Sequence, residues 1–402
     1  MSRIEAVYRW LACDRSAEVD QILAAALPHA ESPYFEQLAT LLWQRKNEIA
    51  WAGLVAEYRR LAPELRQELR SDARLLKAAV ATVLAQTGSE GRLNALHLLV
   101  EHPCPQLAYL VADALRDPAT EVRAAAAAVL CATAEQVLSY PQPTGLQAAS
   151  ARAAMAEERA ALAKALREAL RTFEVHQRQD VLEICLWLAR DLGDCLWNAL
   201  CGRRSVAGHI VARHLKSWNH PRLAGFLLLA LGRPAWQRAA LNVLSTWNSR
   251  NETIALLQNS DLLADPAVRH NLHLWKHPRW LALHGAALAE LPPEARAQFP
   301  LWACYLGLTH EERMRYLMVW QASPWPEVSR AAVYALAALD VPESDAVLAD
   351  LAARPGPLQH FARWFIVGRR WARENGLGPV SREGARRVPR PGVASASREV
   401  LA

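Results

Sequence analysis

The sequence predicts an all-α protein in which antiparallel helical hairpins stack into an α-solenoid. Three observations lead to this fold class. Apolar residues rich in Ala and Leu recur at helical spacing through nearly the whole chain, and alternating strand patterns are missing. Short stretches that contain Pro, Asp, Asn or Gly separate the helical segments. One proline-turn motif recurs along the chain, which is typical of a repeat protein.

Residues 1–90 are predicted to form helices joined by very short connections. Prolines such as Pro28, Pro33 and Pro63 interrupt the helical pattern, because proline cannot continue a preceding helix. The predicted helices cover residues 3–12, 15–27, 33–45, 48–61, 63–70 and 73–86. Short connections favour antiparallel neighbours. We therefore interpret residues 1–90 as N-terminal hairpins with a degenerate repeat pattern.

The clearest copy of the motif spans residues 115–130. Asp117 is placed to cap a new helix, and Pro118 to occupy its first turn, where a missing N–H costs nothing. Val122 and Ala126 then fall on one apolar stripe with helical spacing. Alanine in this stripe allows neighbouring helices to approach closely.

Further copies follow at Pro234, Pro278 and Pro324. The copy at Pro324 keeps the register, with Val328 in the position of Val122, whereas the copy at Pro234 is displaced by about two residues. The separations of 44 and 46 residues lie within the roughly 40–47 residues of HEAT and armadillo units. Each unit also has an earlier proline that opens the partner helix, in the dipeptides His102-Pro103, His220-Pro221 and Asp265-Pro266.

These residues resemble the HEAT-repeat family, in particular the short bacterial HEAT-like repeats of the phycobilisome-lyase type. The consensus D-P-x-x-x-V-R-x-x-A is matched by Asp117, Pro118, Val122, Arg123 and Ala126. The resemblance implies a right-handed HEAT/armadillo-like superhelix with a concave binding surface, and it implies no reaction. We place the repeats in residues 91–374.

Two segments depart from the repeat pattern. Residues 139–150 are predicted to form a loop and residues 151–171 a long charged helix, so that 139–171 is an irregular insertion. Residues 357–373 are predicted to form a closing amphipathic helix. The residues predicted to cover the open end of the core are Phe361, Trp364, Phe365 and Val367 or Gly368, and those predicted to point outward are Arg363, Arg370 and Arg373. Residues 375–402 are predicted to be a disordered basic tail.

No motif in the sequence predicts a catalytic, cofactor or metal site. The chain has no Gly-rich phosphate loop and no G-x-S-x-G elbow. His310-Glu311-Glu312-Arg313-Met314 begins like a zincin helix, but Met stands where the second histidine ligand is required. His270 and His273 are spaced to share a metal, yet no further ligands can be assigned, and helix-end histidines are the simpler interpretation.

Cysteine and tryptophan are interpreted as packing residues. The seven cysteines contain no C-x-x-C pair, and Cys185, Cys195 and Cys201 lack metal-finger spacing. Several of the fifteen tryptophans end a helix just before a turn, as Trp218, Trp247, Trp275 and Trp320 do. Such residues can form an aromatic ladder for a peptide or for stacked bases. Their recurrence at the repeat period favours packing between hairpins.

The distribution of charge limits the nucleic-acid hypothesis. The net charge is +6, and residues 360–402 alone contain nine arginines and three glutamates, so the preceding chain is neutral. A solenoid that cradles a duplex along its length usually carries basic charge throughout. The tail arginines remain candidates for weak contact with polyanions, and they are Arg382, Arg386, Arg387 and Arg390.

The N-terminal segment has no continuous apolar region, and the longest apolar stretch is too short to cross a bilayer. We therefore expect a cytoplasmic monomer without a transmembrane segment. The leading functional hypothesis is a non-catalytic scaffold that binds a protein partner on the concave face. The alternative is a HEAT-like DNA-binding protein similar to alkylpurine DNA glycosylases. A HEAT-like lyase that attaches a bilin chromophore is suggested by the shared repeats alone.

Overall fold

The computed structural model describes residues 10–86, 88–140, 148–202, 204–276, 288–339 and 341–375. The structure is all-helical, with 78% helix and no strand among these residues. The predicted all-α class is therefore confirmed. The chain divides into two compact units, Met1–Asn219 and His220–Ala402.

The first unit contains helices α1 to α14. Their bounds are α1 Ala17–Ala26, α2 Tyr34–Arg45, α3 Glu48–Ala56, α4 Pro63–Glu68, α5 Ala73–Gln86, α6 Ser89–Glu101, α7 Ala108–Ala114, α8 Thr120–Leu138, α9 Ala148–Arg171, α10 Phe173–His176, α11 Gln179–Trp187, α12 Ala189–Leu192, α13 Asp194–Cys201 and α14 Val206–His214. Helix α6 packs against α8, and α8 against α11, while α7 packs against α9. Helices that are two or three apart in the chain thus pack against each other.

The second unit contains helices α15 to α24. Their bounds are α15 Ala224–Leu231, α16 Pro234–Leu244, α17 Arg250–Gln258, α18 Pro266–Leu272, α19 Pro293–Arg296, α20 Phe299–Tyr305, α21 His310–Gln321, α22 Pro326–Ala338, α23 Pro342–Ala353 and α24 Gln359–Glu374. Three pairs of chain neighbours pack tightly, namely α15 with α16, α21 with α22, and α23 with α24. Helix α18 also packs against α20, α20 against α22, and α22 against α24.

Helices α8, α16 and α22 share one burial pattern when residues are counted from the first residue of each helix. In all three helices the third, seventh, tenth and eleventh residues are buried. The seventh residue is alanine in each case, and all three side chains are 0% exposed: Ala126, Ala240 and Ala332. A small residue at this position lets the neighbouring helix approach closely.

The prolines of the motif do not share one place relative to the helix start. Helix α16 begins at Pro234 itself, whereas α8 begins two residues after Pro118 and α22 two residues after Pro324. This difference accounts for the displacement of about two residues in the Pro234 copy. Pro278 lies outside the described residues.

Asp117 does not cap α8 as predicted, because the N-cap position belongs to Ala119. One carboxylate oxygen of Asp117 accepts a hydrogen bond from the Ala119 N–H at 2.9 Å, and the other pairs with Arg92 at 2.9 Å. The hydroxyl of Ser323 accepts a hydrogen bond from the Trp325 N–H in the same place before α22, at 3.3 Å. The side chain before the proline therefore stabilises the turn that leads into the helix.

The turn before α7 also differs from the predicted one. The 3-10 turn that opens α7 is Pro105–Leu107, and the one that opens α15 is Pro221–Leu223. Pro105, rather than Pro103, is the counterpart of Pro221. In both segments the leucine of the turn is buried, at Leu107 and Leu223.

The long charged helix of the predicted insertion is α9, which begins at Ala148. Residues 141–147 lie outside the described part of the chain. Arg159 of α9 forms a bidentate ion pair with Asp191, in which Nη2 and Oδ2 are 2.8 Å apart. The inward side of α9 buries leucine and alanine, so the helix is an integral part of the first unit.

The tryptophans singled out from the sequence fill the interior. Trp247, Trp275 and Trp320 are at most 2% exposed. Trp218 is half-buried, with its ring stacked on His214 at a centroid distance of 5.7 Å. These positions support the packing interpretation over a ladder of tryptophans.

Candidate interaction surface

A set of arginine and aromatic side chains lies along four successively packed helices of the second unit. We call it the Arg-aromatic row. Its members come from α18, α20, α22 and α24, and they are Arg269, Tyr305, Arg330, Tyr334, Phe361 and Phe365. All six are exposed or partly exposed.

Ring and cation contacts link the members of the row. The Arg269 guanidinium lies 5.8 Å from the centre of the Tyr305 ring. The Arg330 guanidinium lies 5.9 Å from the centre of the Phe361 ring. Both distances are within the roughly 6 Å at which a cation is attracted to an aromatic face. The Tyr334 and Phe365 rings meet edge to face at 5.6 Å.

The helix register explains why these side chains are accessible. Val328 and Ala332 point into the core of the second unit. Arg330 and Tyr334 are placed two residues after them, on the other side of α22, and they are one helical turn apart. Tyr334 remains 37% exposed although its ring contacts Phe365. The row is therefore held by packed helices and is still accessible.

The polar and charged groups of the row can act as hydrogen-bond donors. Burial raises the pKa of Tyr334, and the neighbouring Tyr305 phenol raises it further. The Tyr334 hydroxyl therefore stays protonated near neutral pH and can donate a hydrogen bond. Together with two arginines, it offers hydrogen-bond donors beside aromatic rings, an arrangement suited to a ligand that carries carboxylates next to apolar groups.

A polar cluster in the first unit has a structural explanation. The Tyr58 hydroxyl donates a hydrogen bond to the Glu101 carboxylate at 2.7 Å, and Arg70 pairs with the same carboxylate at 2.9 Å. Burial, followed by the hydrogen bond to Glu101, raises the pKa of Tyr58. These contacts tie the end of α6 to the segments after α3 and α4.

The histidine pair considered as a metal site lies at the end of α18. The rings of His270 and His273 are 5.4 Å apart, and a ring nitrogen of His273 contacts the carbonyl oxygen of His270. In the part of the chain that the structure describes, no three His, Cys, Asp or Glu side chains are grouped so as to hold a metal ion. His277 and His284 lie outside that part.

Buried thiols are poorly suited to act as nucleophiles. Burial raises the pKa of Cys131 to about 12 and the pKa of Cys304 to about 11. Burial also raises the pKa of Cys185 well above the ordinary value. Because the thiolate is the reactive form, these cysteines behave as small apolar side chains.

The segment that begins like a zincin helix contains an N-terminal capping box. The Thr309 hydroxyl accepts a hydrogen bond from the Glu312 N–H, and the Glu312 carboxylate accepts one from the Thr309 N–H. This reciprocal pair accounts for the glutamate in the first turn of α21.

The repeat-signature residues predicted from the sequence are not members of the row. Val122, Ala126 and Val328 are buried in the core, whereas Arg123 is half-buried and donates hydrogen bonds to the carbonyl oxygens of Asp117 and Pro118. The tail candidates Arg382, Arg386, Arg387 and Arg390 lie outside the described residues.

Sequence reasoning missed the whole row. Its signal was present in α22, where an arginine and a tyrosine are spaced four residues apart on the side opposite the buried stripe. Among the described residues, no helix has both the length and the apolar character needed to cross a membrane. Comparisons of the chain with protein-family models, with curated proteins and with solved structures found no match.

Proposed function

We propose that the protein is a non-catalytic scaffold in which helical hairpins stack into a right-handed α-solenoid of the HEAT type. A protein partner binds on its concave face, along the Arg-aromatic row. The observation that carries this proposal is the placement of the row on α18, α20, α22 and α24, which pack against one another in succession, because a binding surface that crosses several repeats is how solenoids recognise extended partners.

The residue types of the row support a protein ligand. Tyrosine and arginine are among the residues that contribute most binding energy at protein interfaces. Helices hold these side chains in place, so little conformational entropy is lost on binding. The partner is expected to present carboxylates beside apolar side chains, which would meet Arg269 and Arg330 between the aromatic rings.

Affinity purification with quantitative mass spectrometry tests the proposal. The tagged full chain is compared with the double variant Arg330→Glu/Tyr334→Ala. The control is Tyr109→Ala/Arg152→Glu, which alters an exposed tyrosine and an exposed arginine of the first unit. A partner that binds the row is recovered with the wild type and with the control, and it is lost with the row variant.

The recovered partner is then purified and titrated calorimetrically against the three chains. We expect the row variant to weaken binding at least about tenfold, because a central arginine and an aromatic residue are each worth more than 1 kcal/mol at such interfaces. Equal affinity of all three chains would contradict the assignment of the row.

The DNA hypothesis makes a different prediction. Incubation with alkylated duplex DNA would release a free base if the chain were a glycosylase similar to the alkylpurine enzymes. Release that the Arg330→Glu/Tyr334→Ala variant abolishes would replace the scaffold proposal with an enzyme acting at the same surface.

A further inference from the structure

Helix α24 carries a second surface, on the side opposite its buried residues. The helix packs against α23, with Ala362 fully buried and the Arg369 side chain only 14% exposed. On the opposite side, Trp364, Val367 and Trp371 are 70%, 67% and 58% exposed. We call these three residues the outward stripe.

The outward stripe corrects the expectation that α24 closes the core with its large apolar residues. Phe361, Trp364 and Val367 were predicted to cover the core, but they are 42%, 70% and 67% exposed. Ala362 and Arg369 are the residues of α24 that are buried against the neighbouring helices. Trp364 contacts the ring of Phe365 edge to face at a centroid distance of 4.9 Å, yet both tryptophans of the helix remain more than half exposed among the described residues. Exposed apolar patches of this kind mark interaction sites.

Two arginines border the stripe. Arg363 precedes Trp364 and Arg370 precedes Trp371, so both arginines lie about 100° around the helix from the tryptophans, along the same edge. Both are exposed. The exposed carboxylate of Glu374 lies near the end of the same edge, and the edge thus has a net positive charge. An occupant of this surface must accept two tryptophan rings and also supply negative charge.

An anionic lipid surface meets both requirements. Tryptophan is the side chain that prefers the interface between water and hydrocarbon, and arginine extends its charged end toward lipid phosphates while its stem stays in the apolar layer. A helix with tryptophans on one face and arginines along the border lies in the plane of the membrane. A bilayer also accepts a convex helix without a complementary groove.

A second copy of the chain fits less well. A twofold contact of stripe on stripe would bring Arg363 and Arg370 of both copies to one interface, where only the Glu374 side chains oppose them. Like charges at a protein interface are unfavourable.

We propose that the outward stripe of α24 docks in the interfacial layer of an anionic membrane, with Arg363 and Arg370 on lipid phosphates. This site borders the Arg-aromatic row, because Trp364 contacts Phe365, but it does not depend on the scaffold function. The sequence of residues 376–402 adds five arginines against two glutamates, and such basic segments increase attraction to anionic leaflets.

Co-sedimentation of the full chain with lipid vesicles tests this site. The probes are vesicles of phosphatidylcholine alone and of phosphatidylcholine mixed with phosphatidylglycerol. We expect binding to the mixed vesicles only. The double variant Trp364→Ala/Trp371→Ala should bind at least about tenfold more weakly, because the buried apolar area determines the affinity of interfacial helices. Arg363→Gln and Arg370→Gln should each weaken binding about fivefold.

Two control variants make the result specific. Trp10→Ala removes a tryptophan that is 58% exposed in the first unit and should leave binding unchanged. The quadruple variant of the full chain should reduce binding without removing the dependence on Trp364 and Trp371; its substitutions are Arg382→Gln, Arg386→Gln, Arg387→Gln and Arg390→Gln. Circular dichroism should show equal helicity in all variants, since every substituted side chain is exposed or lies in the tail.

Three outcomes would overturn the proposal. One is vesicle binding that the tail substitutions abolish and the tryptophan substitutions leave intact. Another is a concentration-dependent dimer, measured by light scattering, that the tryptophan variant loses, because a second copy would then cover the stripe. The third is a purified protein partner whose affinity falls with the tryptophan variant and not with the row variant.

Discussion

Arg369 of α24 pairs with the carboxylate of Asp345 in α23 and also donates hydrogen bonds to backbone carbonyl oxygens at the end of α22. Its Nε donates to the Ala337 carbonyl oxygen at 3.0 Å, and its Nη2 donates to the Leu336 carbonyl oxygen at 3.1 Å. The last carbonyl groups of a helix have no partner within the helix. One guanidinium therefore satisfies the end of α22 and joins three helices.

Replacing Arg369 should destabilise the C-terminal part of the second unit. In Arg369→Met the carbonyl groups at the end of α22 lose their donor, whereas Asp345 retains its ion pair with Arg373. Leaving buried polar groups unsatisfied costs about 1–3 kcal/mol. Chemical denaturation should show a free energy of unfolding lower by about 2 kcal/mol. Arg354→Met is the control, because its ion pair with Asp350 joins side chains that are 73% and 50% exposed and such pairs contribute little. Equal effects of the two variants would contradict the role of Arg369.

The alanine stripe of α8 should not tolerate a charge. Ala126 is 0% exposed on a helix that packs against α6 and α11. Ala126→Asp would bury a carboxylate without a partner, and we expect it to lower the free energy of unfolding by several kcal/mol. Ala128, two residues later, is exposed, so Ala128→Asp should have little effect. A melting temperature that both variants leave unchanged would show that the register of α8 is wrong.

Much of the fold could be predicted from helical periodicity and proline position. Predicted helices at 33–45 and 73–86 agree with α2 and α5 to within one residue. The burial of Val122, Ala126 and Val328 follows from their spacing alone, since one stripe of an amphipathic helix must face the core. Helix starts were less predictable, because a side chain before a proline can either cap the helix or stabilise a turn that precedes it. Asp265 caps α18, whereas Asp117 stabilises the turn before α8.

The functional surfaces could not be predicted in the same way. The row depends on which side chains of four separate helices become neighbours, and periodicity within one helix does not contain that information. On α24, Trp364 is exposed although it was predicted to cover the core, and Arg369, for which no role was predicted, is largely buried. Hydrophobicity alone places Trp364 inside and an arginine outside, but the carbonyl groups at the end of α22 and Asp345 of α23 provide enough partners to bury Arg369. That requirement is visible only when the helices are packed.

A close contact between backbone segments makes glycine necessary at position 307. The Gly307 N–H donates a hydrogen bond to the Trp275 carbonyl oxygen at 3.1 Å. A Cβ atom at this position would lie 2.2 Å from the His273 carbonyl oxygen. Because backbone cannot move aside as a flexible side chain can, Gly307→Ala should lower the free energy of unfolding by about 1–3 kcal/mol.

Gly368 provides the matched comparison for Gly307. It lies within α24, and a Cβ atom there would meet nothing within 4 Å. Gly368→Ala should raise the free energy of unfolding by about 0.5–1 kcal/mol, because alanine restricts the unfolded chain and favours helix. Urea denaturation of both variants measures the two changes in the free energy of unfolding, which should have opposite signs. A stabilising Gly307→Ala substitution would contradict the close approach of the Trp275 segment.

His176 at the end of α10 is held as a neutral ring. The side chain is 6% exposed. Its Nε2 lies 2.9 Å from the carbonyl oxygen of Ala169, and its Nδ1 accepts a hydrogen bond from the Arg178 N–H at 3.1 Å. Only the neutral ring with a proton on Nε2 can donate to the first group and accept from the second. Protonation of Nδ1 would place the new ring N–H against the Arg178 N–H, and two donors cannot form a hydrogen bond with each other.

This geometry makes the stability of the first unit depend on pH. Burial lowers the pKa of His176 below 6.5, although its contact with Ala169 opposes the change. The unfolded chain therefore takes up a proton more readily than the folded chain. The stability contributed by the neutral ring is complete above about pH 6.5 and is lost as the pH falls through the folded pKa.

Urea denaturation at about pH 7.5 and at about pH 5.5 should show a smaller loss of stability for His176→Gln, which cannot titrate, than for the wild type. His209→Gln, at an exposed position on α14, should behave as the wild type does. If His176→Gln and the wild type lost equal stability, the acid sensitivity would lie in other groups, among them His97 and His102, whose pKa values burial also lowers.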